Sequence, residues 1–509
     1  MSDPVILSKA KNLSKAKNLN KEILRLALPS ILANLTVPLV GMVDIAIAGH
    51  LDTSAAALIG GISVGSLMFD MLYWNFGFLR AGTGGLTAQA FGREDWNGCA
   101  SYLRRGLGLA LLLSLLLLLI QWPFQKLIFV FVHCSEEVRT LALKYFYIRI
   151  WAAPATLCLM TFRGWFIGMQ DSFSSMLTDV TVNGVNIIAS ILLALGIKGT
   201  AFHGLGFVGI AWGTVAAQYA GLLIAATILF LKYRWGLRHA VAPGSTLASS
   251  TTATLGTLRG RTGAEHSEAI GGAERSEAVE RSRVLPGTDK KNTTVREFFT
   301  VNRDLFIRSI CLMAVYLGFT AISARFGDTP LAMCSIMMKL MMIFSYFTDG
   351  FAFAGEALTG RFFGMKDKPA VSATVKWTFV WSMGIGLLFI GIYSIAGIPM
   401  FRIMTSDVTV IEASRAFIPW LALIPLLGCP AFTWDGIYIG ATATKVMRDS
   451  NVGCLIAFFA VWFLGWLFLK PAGDGKVHLL FAAYYAHLLF RSLYQTIKYR
   501  TAILDAIQK

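Results

Sequence analysis

Charge is scarce in this chain: only 15% of its 509 residues are Asp, Glu, Lys or Arg, too few to clothe an ordinary soluble globule. Organised cysteine is missing too. The seven present, Cys99, Cys134, Cys158, Cys311, Cys334, Cys429 and Cys454, are odd in number, and no two have metal-ligand spacing. They read as small core residues, with no disulfide framework and no metal site expected. No phosphate-binding loop, nucleophile motif or metal cluster appears, so neither an enzyme nor a cofactor is expected. Of the charged residues the acidic ones are the fewer, 29 against 45 Lys and Arg, a formal charge of +16. In a soluble protein that excess would suggest nucleic acid. Here the basic residues lie between apolar runs without a nucleic-acid-binding motif, so they are assigned to membrane topology and anionic lipid.

What fills the chain instead is apolar sequence, 55% hydrophobic with a mean hydropathy of +0.61. The expected fold is an all-α membrane protein. Runs long enough to cross a bilayer lie near 26–49, 56–88, 104–122, 143–169, 175–196, 205–231, 304–325, 331–361, 373–398, 414–440, 451–469 and 478–496, about twelve transmembrane helices. The first is too long for a signal-peptide core and is expected to stay as an anchor. With a cytoplasmic N-terminus, Arg93, Arg104, Arg105, Arg361, Lys366, Lys368, Lys445, Arg448, Lys498 and Arg500 all fall inside. A multi-pass protein of the plasma (inner) membrane with both termini cytoplasmic follows.

Composition divides the chain further. Residues 1–22 form a basic cytoplasmic tail containing a direct hexapeptide repeat (8–13, 14–19), either a short interfacial helix or a solvated segment. Spans one to six occupy 23–235, and residues 236–297, rich in Ser, Thr, Gly, Ala, Glu and Arg, read as a flexible cytoplasmic linker. Spans seven to twelve occupy 298–497, followed by a cytoplasmic tail at 498–509. The two sets are related. Residues 86–95 match 358–367, and Gly164-Trp165-Phe166-Ile167-Gly168 matches Gly436-Ile437-Tyr438-Ile439-Gly440, both at an offset of 272. Two matches at one offset indicate a duplicated unit. Six spans per copy make the copies parallel, two six-helix bundles related by a pseudo-twofold around a central cavity.

Ionisable residues within spans are functional candidates, because hydrocarbon penalises them. Asp44, in Val40-Gly41-Met42-Val43-Asp44-Ile45-Ala46-Ile47, has no basic neighbour at helical spacing. Burial favours its protonated form, which makes it the candidate ion or proton switch. Arg80 on the second span could pair with Asp349 or Glu356 on the eighth, or each could sit separately at an interface. Arg163 and Asp435 are repeat mates of opposite charge and could form a latch. Asn183, Asn186 and Ser190 share one face of the fifth span, either joining helices or lining a wet cavity. Met337 and Met341, within a methionine stripe on the eighth span, are core or a pliable cavity wall.

These residues, with Met42 to Leu51, Gly77-Phe78-Leu79-Arg80-Ala81-Gly82-Thr83, Asp349-Gly350-Phe351-Ala352-Phe353-Ala354 and Asp435 to Thr442, resemble the multidrug and toxic compound extrusion (MATE) family, in its DinF-like branch. The resemblance implies a two-lobed transporter that exports organic compounds, cationic or amphipathic, in exchange for H⁺ or Na⁺ by alternating access. It implies cation coupling at Asp44, a bend in the first helix at Pro29, and an Asn186 close to that aspartate. Ser190 departs from relatives that carry a second carboxylate there, which favours single-site protonation. Partners would be small organic substrates and membrane lipids, the carrier working as a monomer. The rival readings are a flippase for lipid-linked precursors, which would need a basic cavity, and a non-transporting scaffold, which leaves Asp44 unexplained.

Overall fold

Backbone groups in hydrocarbon have no water to bond, so long apolar runs satisfy their N–H and C=O groups as helices. The computed structural model describes residues 4–49, 51, 55–131, 134–196, 203–241 and 295–508, and among these there is no strand. The N-lobe comprises α1 (Pro4–Gly49), α2 (Ala55–Trp74), α3 (Phe78–Gly92), α4 (Trp96–Phe131), α5 (Glu136–Arg149), α6 (Ala153–Gly168), α7 (Ser172–Leu195) and α8 (Phe207–Val241). The C-lobe comprises α9 (Val295–Ala324), α10 (Asp328–Gly364), α11 (Lys368–Met404), α12 (Val408–Ser414), α13 (Ile418–Gly440), α14 (Thr444–Leu469) and α15 (Gly475–Tyr499).

Among the described residues, eleven helical segments are long and apolar enough to span a membrane, three of them pairing a short helix with its successor: α2 with α3, α5 with α6, and α12 with α13. The twelfth expected span coincides with α15, whose Arg491 and His487 lower its hydropathy while lying buried against the C-lobe. Helix also overruns two expected boundaries. α1 starts at Pro4, inside the expected tail, and α8 and α9 extend into the expected linker. Residues 242–294, most of the expected linker, lie outside the described residues.

α1 belongs to both lobes. Its first half packs Ile23, Leu26, Ala27 and Ile31 against Phe351, Ala354, Ala357 and Leu358 of α10. Polar contacts fasten the same half to the C-lobe: Trp381 Nε1 donates to Asn20 Oδ1 at 2.9 Å, Asn34 Nδ2 donates to the Tyr346 carbonyl at 3.3 Å, and Arg361 meets Glu22 at 3.8 Å. Its last turns pack Ile47 and Ala48 among Leu58, Ile62, Tyr145 and Ile210 of the N-lobe. Pro29 lies within the first anchorage, between Ala27 and Ile31, and Pro38 lies between the two; the helix runs through both.

The lobes meet along α3 and α10 with the symmetry of the duplication. A Cβ on Gly92 would stand 2.0 Å from the Arg361 carbonyl oxygen, and one on its repeat mate Gly364 would stand 2.2 Å from that of Gln89, the mate of Arg361. Such reciprocal contacts are the signature of a twofold interface. On the axis itself residues meet their own mates, Gly84 facing Glu356 and Ala88 facing Gly360. Side chains lock the seam: Gln89 Nε2 donates to the Gly440 carbonyl at 3.1 Å, and Gln170 Nε2 to that of Ala357 at 2.8 Å. By connectivity this seam is at the end of the bundle where α8 stops and α9 starts.

Only a hydrogen fits at these crossings. Gly364→Val is expected to destabilise the seam by about 1–3 kcal/mol through overpacking. A lower thermal-unfolding midpoint in detergent would register it, and an unchanged midpoint would show that the seam is looser than its geometry.

Candidate functional site

Three polar groupings interrupt the apolar interior. The first surrounds Asp44, which is 5% exposed and whose Oδ1 finds no hydrogen-bond donor among the described residues. Its carboxylate faces Ser190 of α7, and Arg149 at the end of α5 acts on it electrostatically. Ser190 and Asn186 are buried on the same face of α7. Asn186 Nδ2 donates to Thr214 Oγ1 of α8 at 3.1 Å, while the Ser190 hydroxyl lies 3.5 Å from Asn186 Oδ1 and 3.4 Å from the Ile210 carbonyl. Asn183, one turn away, donates to Thr36 Oγ1 of α1. All three fifth-span candidates therefore join helices around α1 inside the N-lobe. Spacing put them on one face; only the fold shows that this face meets α1 and α8.

The second grouping lines a cavity of about 390 Å³ between α2 and α3 of the N-lobe and the C-lobe helices α9, α10, α13 and α15. Arg80 Nη1 donates to Glu356 Oε2 at 2.9 Å, a contact between lobes, with its guanidinium 4.4 Å from the Phe353 ring centroid. Glu356 is fully buried and its other oxygen has no partner among the described residues. Deeper in the C-lobe, Asp435 accepts from both Arg308 and Arg491, with Gln495 Nε2 a further 3.4 Å away. Asp349 lines the same cavity with no ion pair within 4.0 Å among the described residues, in the field of Arg80, Arg308 and Arg491. Met341 is on the wall, where it accepts from Tyr484 Oη at 3.0 Å. Met337 points elsewhere, into the C-lobe core.

The latch between Arg163 and Asp435 is not formed. Arg163 is bound to Asp179 of α7, inside the N-lobe, while Asp435 is saturated by its two C-lobe arginines. Each repeat mate is satisfied within its own lobe, which leaves neither charge for the other. Arg149 and Arg491 are the residues that sequence reasoning passed over. The signal was available, since both are basic residues within apolar runs.

The third grouping holds α7 to α8 at the seam end. Asp171 caps α7 through the Ser174 N–H and accepts from Lys232 Nζ at 2.6 Å and Tyr233 Oη at 2.7 Å. Burial pushes its carboxyl up, but the hydrogen bonds from Lys232, Ser174 and Tyr233 outweigh this and hold it below the usual range. Among the described residues no three His, Cys, Asp or Glu side chains are grouped to hold a metal.

Comparison with known proteins agrees with this architecture. The family model described as MatE matches the chain twice, over residues 29–192 and 305–469, one segment in each lobe. DNA damage-inducible protein F of Escherichia coli (strain K12) is 31% identical over 431 residues, covering 85% of this chain and 83% of that protein. "Probable multidrug resistance protein NorM" of Photorhabdus laumondii is 23% identical over 463 residues, covering 89% of this chain and 86% of that one. A solved structure described as "Crystal structure of MATE in the bent conformation" superposes with a TM-score of 0.72 at 15% identity, over 97% of this chain and 98% of that one, a likeness of fold.

The Arg308–Asp435–Arg491 cluster gives a clear stability prediction. Asp435→Asn leaves the buried Arg491 and the partly buried Arg308 guanidinium groups without their carboxylate and is expected to cost about 3–5 kcal/mol. Thermal unfolding of the detergent-solubilised variant measures this; a loss under about 1 kcal/mol would mean that water or lipid already compensates the arginines.

Proposed function

The chain belongs to the MATE family of multidrug efflux transporters, and from that premise we propose that it exports organic cationic or amphipathic compounds in exchange for protons. The observation that carries this reading is Asp44, a lone carboxylate buried in α1 with an oxygen that has no hydrogen-bond donor among the described residues. A carboxylate in that position is stabilised by taking up a proton. A metal cation needs several oxygen ligands, and the position where a second carboxylate would assist is Ser190. Proton coupling is therefore favoured over Na⁺.

The proposed cycle uses the straddling of α1. Protonation of Asp44 removes the charge that Ser190 and Arg149 face, and the N-lobe half of α1 repacks while its other half stays docked on α10. The lobes then exchange contacts at the α3–α10 seam, opening the end that is closed here. With the linker in the cytoplasm, as the distribution of Lys and Arg supports, the closed end is the inner one and the carrier faces outward. One proton falling through 100 mV supplies about 2.3 kcal/mol, enough to shift a two-state equilibrium about fifty-fold. The carrier works as a monomer in the plasma (inner) membrane, with organic substrates and lipids as its partners and no nucleic acid.

A flippase for lipid-linked precursors would need free positive charge for phosphate. In the cavity Arg80 is matched by Glu356, and Arg308 and Arg491 share Asp435 with Asp349 nearby. That balance argues against a polyanionic cargo.

In inside-out proteoliposomes, uptake of a fluorescent lipophilic cation under an imposed pH gradient is expected for wild type and lost at least tenfold in Asp44→Asn, with the variant still folded. Undiminished uptake by Asp44→Asn would remove Asp44 from the coupling reaction.

A further inference from the structure

The cation that acts on Asp44 is Arg149. Arg149 ends α5, where the chain turns through a short 3₁₀ segment, Ile150–Ala152, into α6. A guanidinium within a membrane span normally takes a carboxylate partner. This one forms no ion pair within 4.0 Å among the described residues. It is held instead by neutral groups: Nη1 donates to Tyr145 Oη at 3.2 Å and lies 3.5 Å from Ser66 Oγ of α2, and the guanidinium carbon sits 4.7 Å from the Phe69 ring centroid. Tyr145 and Phe69 are buried, so aromatic faces hold the charge on a fixed, partly dry platform. Held this way, the guanidinium is aimed and not consumed.

What it faces follows from the helices around it. From α1 the ionisable group is Asp44; from α2 they are Asp70 and Tyr73; on α5 itself it is Tyr145. Tyr219 of α8 acts on Tyr73, and Lys339 of α10 acts on Asp70. Tyr145, which holds the guanidinium, packs in one cluster with Ile47 and Ala48 of α1, one turn beyond Asp44, and among the described residues Asp44 is the buried one of the two carboxylates that act on Arg149, Asp70 being exposed. Ser190 of α7 supplies Asp44 with a neutral contact.

We infer that Arg149 is the internal counter-cation of Asp44, a positioning residue that sets the pH at which the carboxylate takes up and discharges its proton. This rests on proton coupling at Asp44. A fixed positive charge nearby favours the carboxylate, so it opposes the effect of burial and eases release of the proton. It also makes the two protonation states mechanically different. With Asp44 ionised, α1 and α5 attract each other through low dielectric; with Asp44 protonated, Asp70 on α2 is the remaining carboxylate for Arg149. The charge of one proton thus changes which helix α5 holds.

The test follows the pH dependence of the Asp44 proton in wild type, Arg149→Gln and Arg149→Lys, read twice: by the pH of half-maximal gradient-driven cation flux in proteoliposomes, and by the infrared C=O band of protonated Asp44, identified by its loss in Asp44→Asn. Removing the cation leaves the neutral acid favoured to higher pH, so the Arg149→Gln midpoint is expected to rise by about one unit. Arg149→Lys, which keeps a charge, is expected to restore most of that shift. An Arg149→Gln midpoint equal to the wild type, or an Arg149→Lys midpoint displaced as far as Arg149→Gln, would overturn the inference. Should Arg149→Gln not fold, the wild type decides: guanidinium bands must change in step with the Asp44 band and stay silent in Asp44→Asn, and bands indifferent to Asp44 would overturn it. Flux that persists in Asp44→Asn would instead sink the coupling assignment itself.

Discussion

One helix fastened to two lobes and carrying a lone buried carboxylate is the constraint on which the rest of the structure depends. α1 docks on α10 through apolar packing and the Asn20, Glu22 and Asn34 contacts, then enters the N-lobe, where Asp44 lies against α7 with Arg149 in range. An ionised carboxylate there is tolerable only while those neighbours stay in place. Any change in its charge must move α1, the neighbours, or both. Because the first half of α1 belongs to the C-lobe, a local change of charge has a path to the relative position of the lobes.

The duplication supplies a seam on which such a movement could act. Gly92 against Arg361 and Gly364 against Gln89 are one contact made twice, and α3 and α10 flank the axis. Departures from the symmetry are where charge enters. Glu356 is the mate of Gly84, so a single carboxylate sits on the axis, and Arg80 crosses to it from the N-lobe. The Asp44 and Arg80–Glu356 groupings are separate in space, with α10 packed against both α1 and α3. In the proposed cycle α10 is the body that relates them.

Much of this was legible in the sequence because hydrocarbon is an exacting solvent. The length of apolar runs gave the helices, the 272-residue offset gave the two lobes, and an aspartate with apolar neighbours pointed to Asp44. Partners were not legible, since spacing along a chain does not say which helices touch. Arg80 had two candidate carboxylates seven residues from each other on one helix, and only packing selects Glu356 over Asp349. The Arg163 and Asp435 pair failed for the same reason: symmetry relates them, but each faces into its own lobe. Arg149 and Arg491 stand within apolar runs, but nothing in their spacing says that one acts on Asp44 and the other binds Asp435. Met337 and Met341, one helical turn apart, both belong to the C-lobe core, and only the fold shows that Met341 also lines the cavity.

The most direct measurement is the number of protons released when a substrate binds. Tetraphenylphosphonium would be titrated into the detergent-solubilised protein in weak buffer, with binding followed by calorimetry and the proton count by a pH indicator. Antiport through a single carboxylate predicts that release approaches one proton per bound cation and vanishes in Asp44→Asn. Binding without proton release, or equal release from Asp44→Asn, would contradict it.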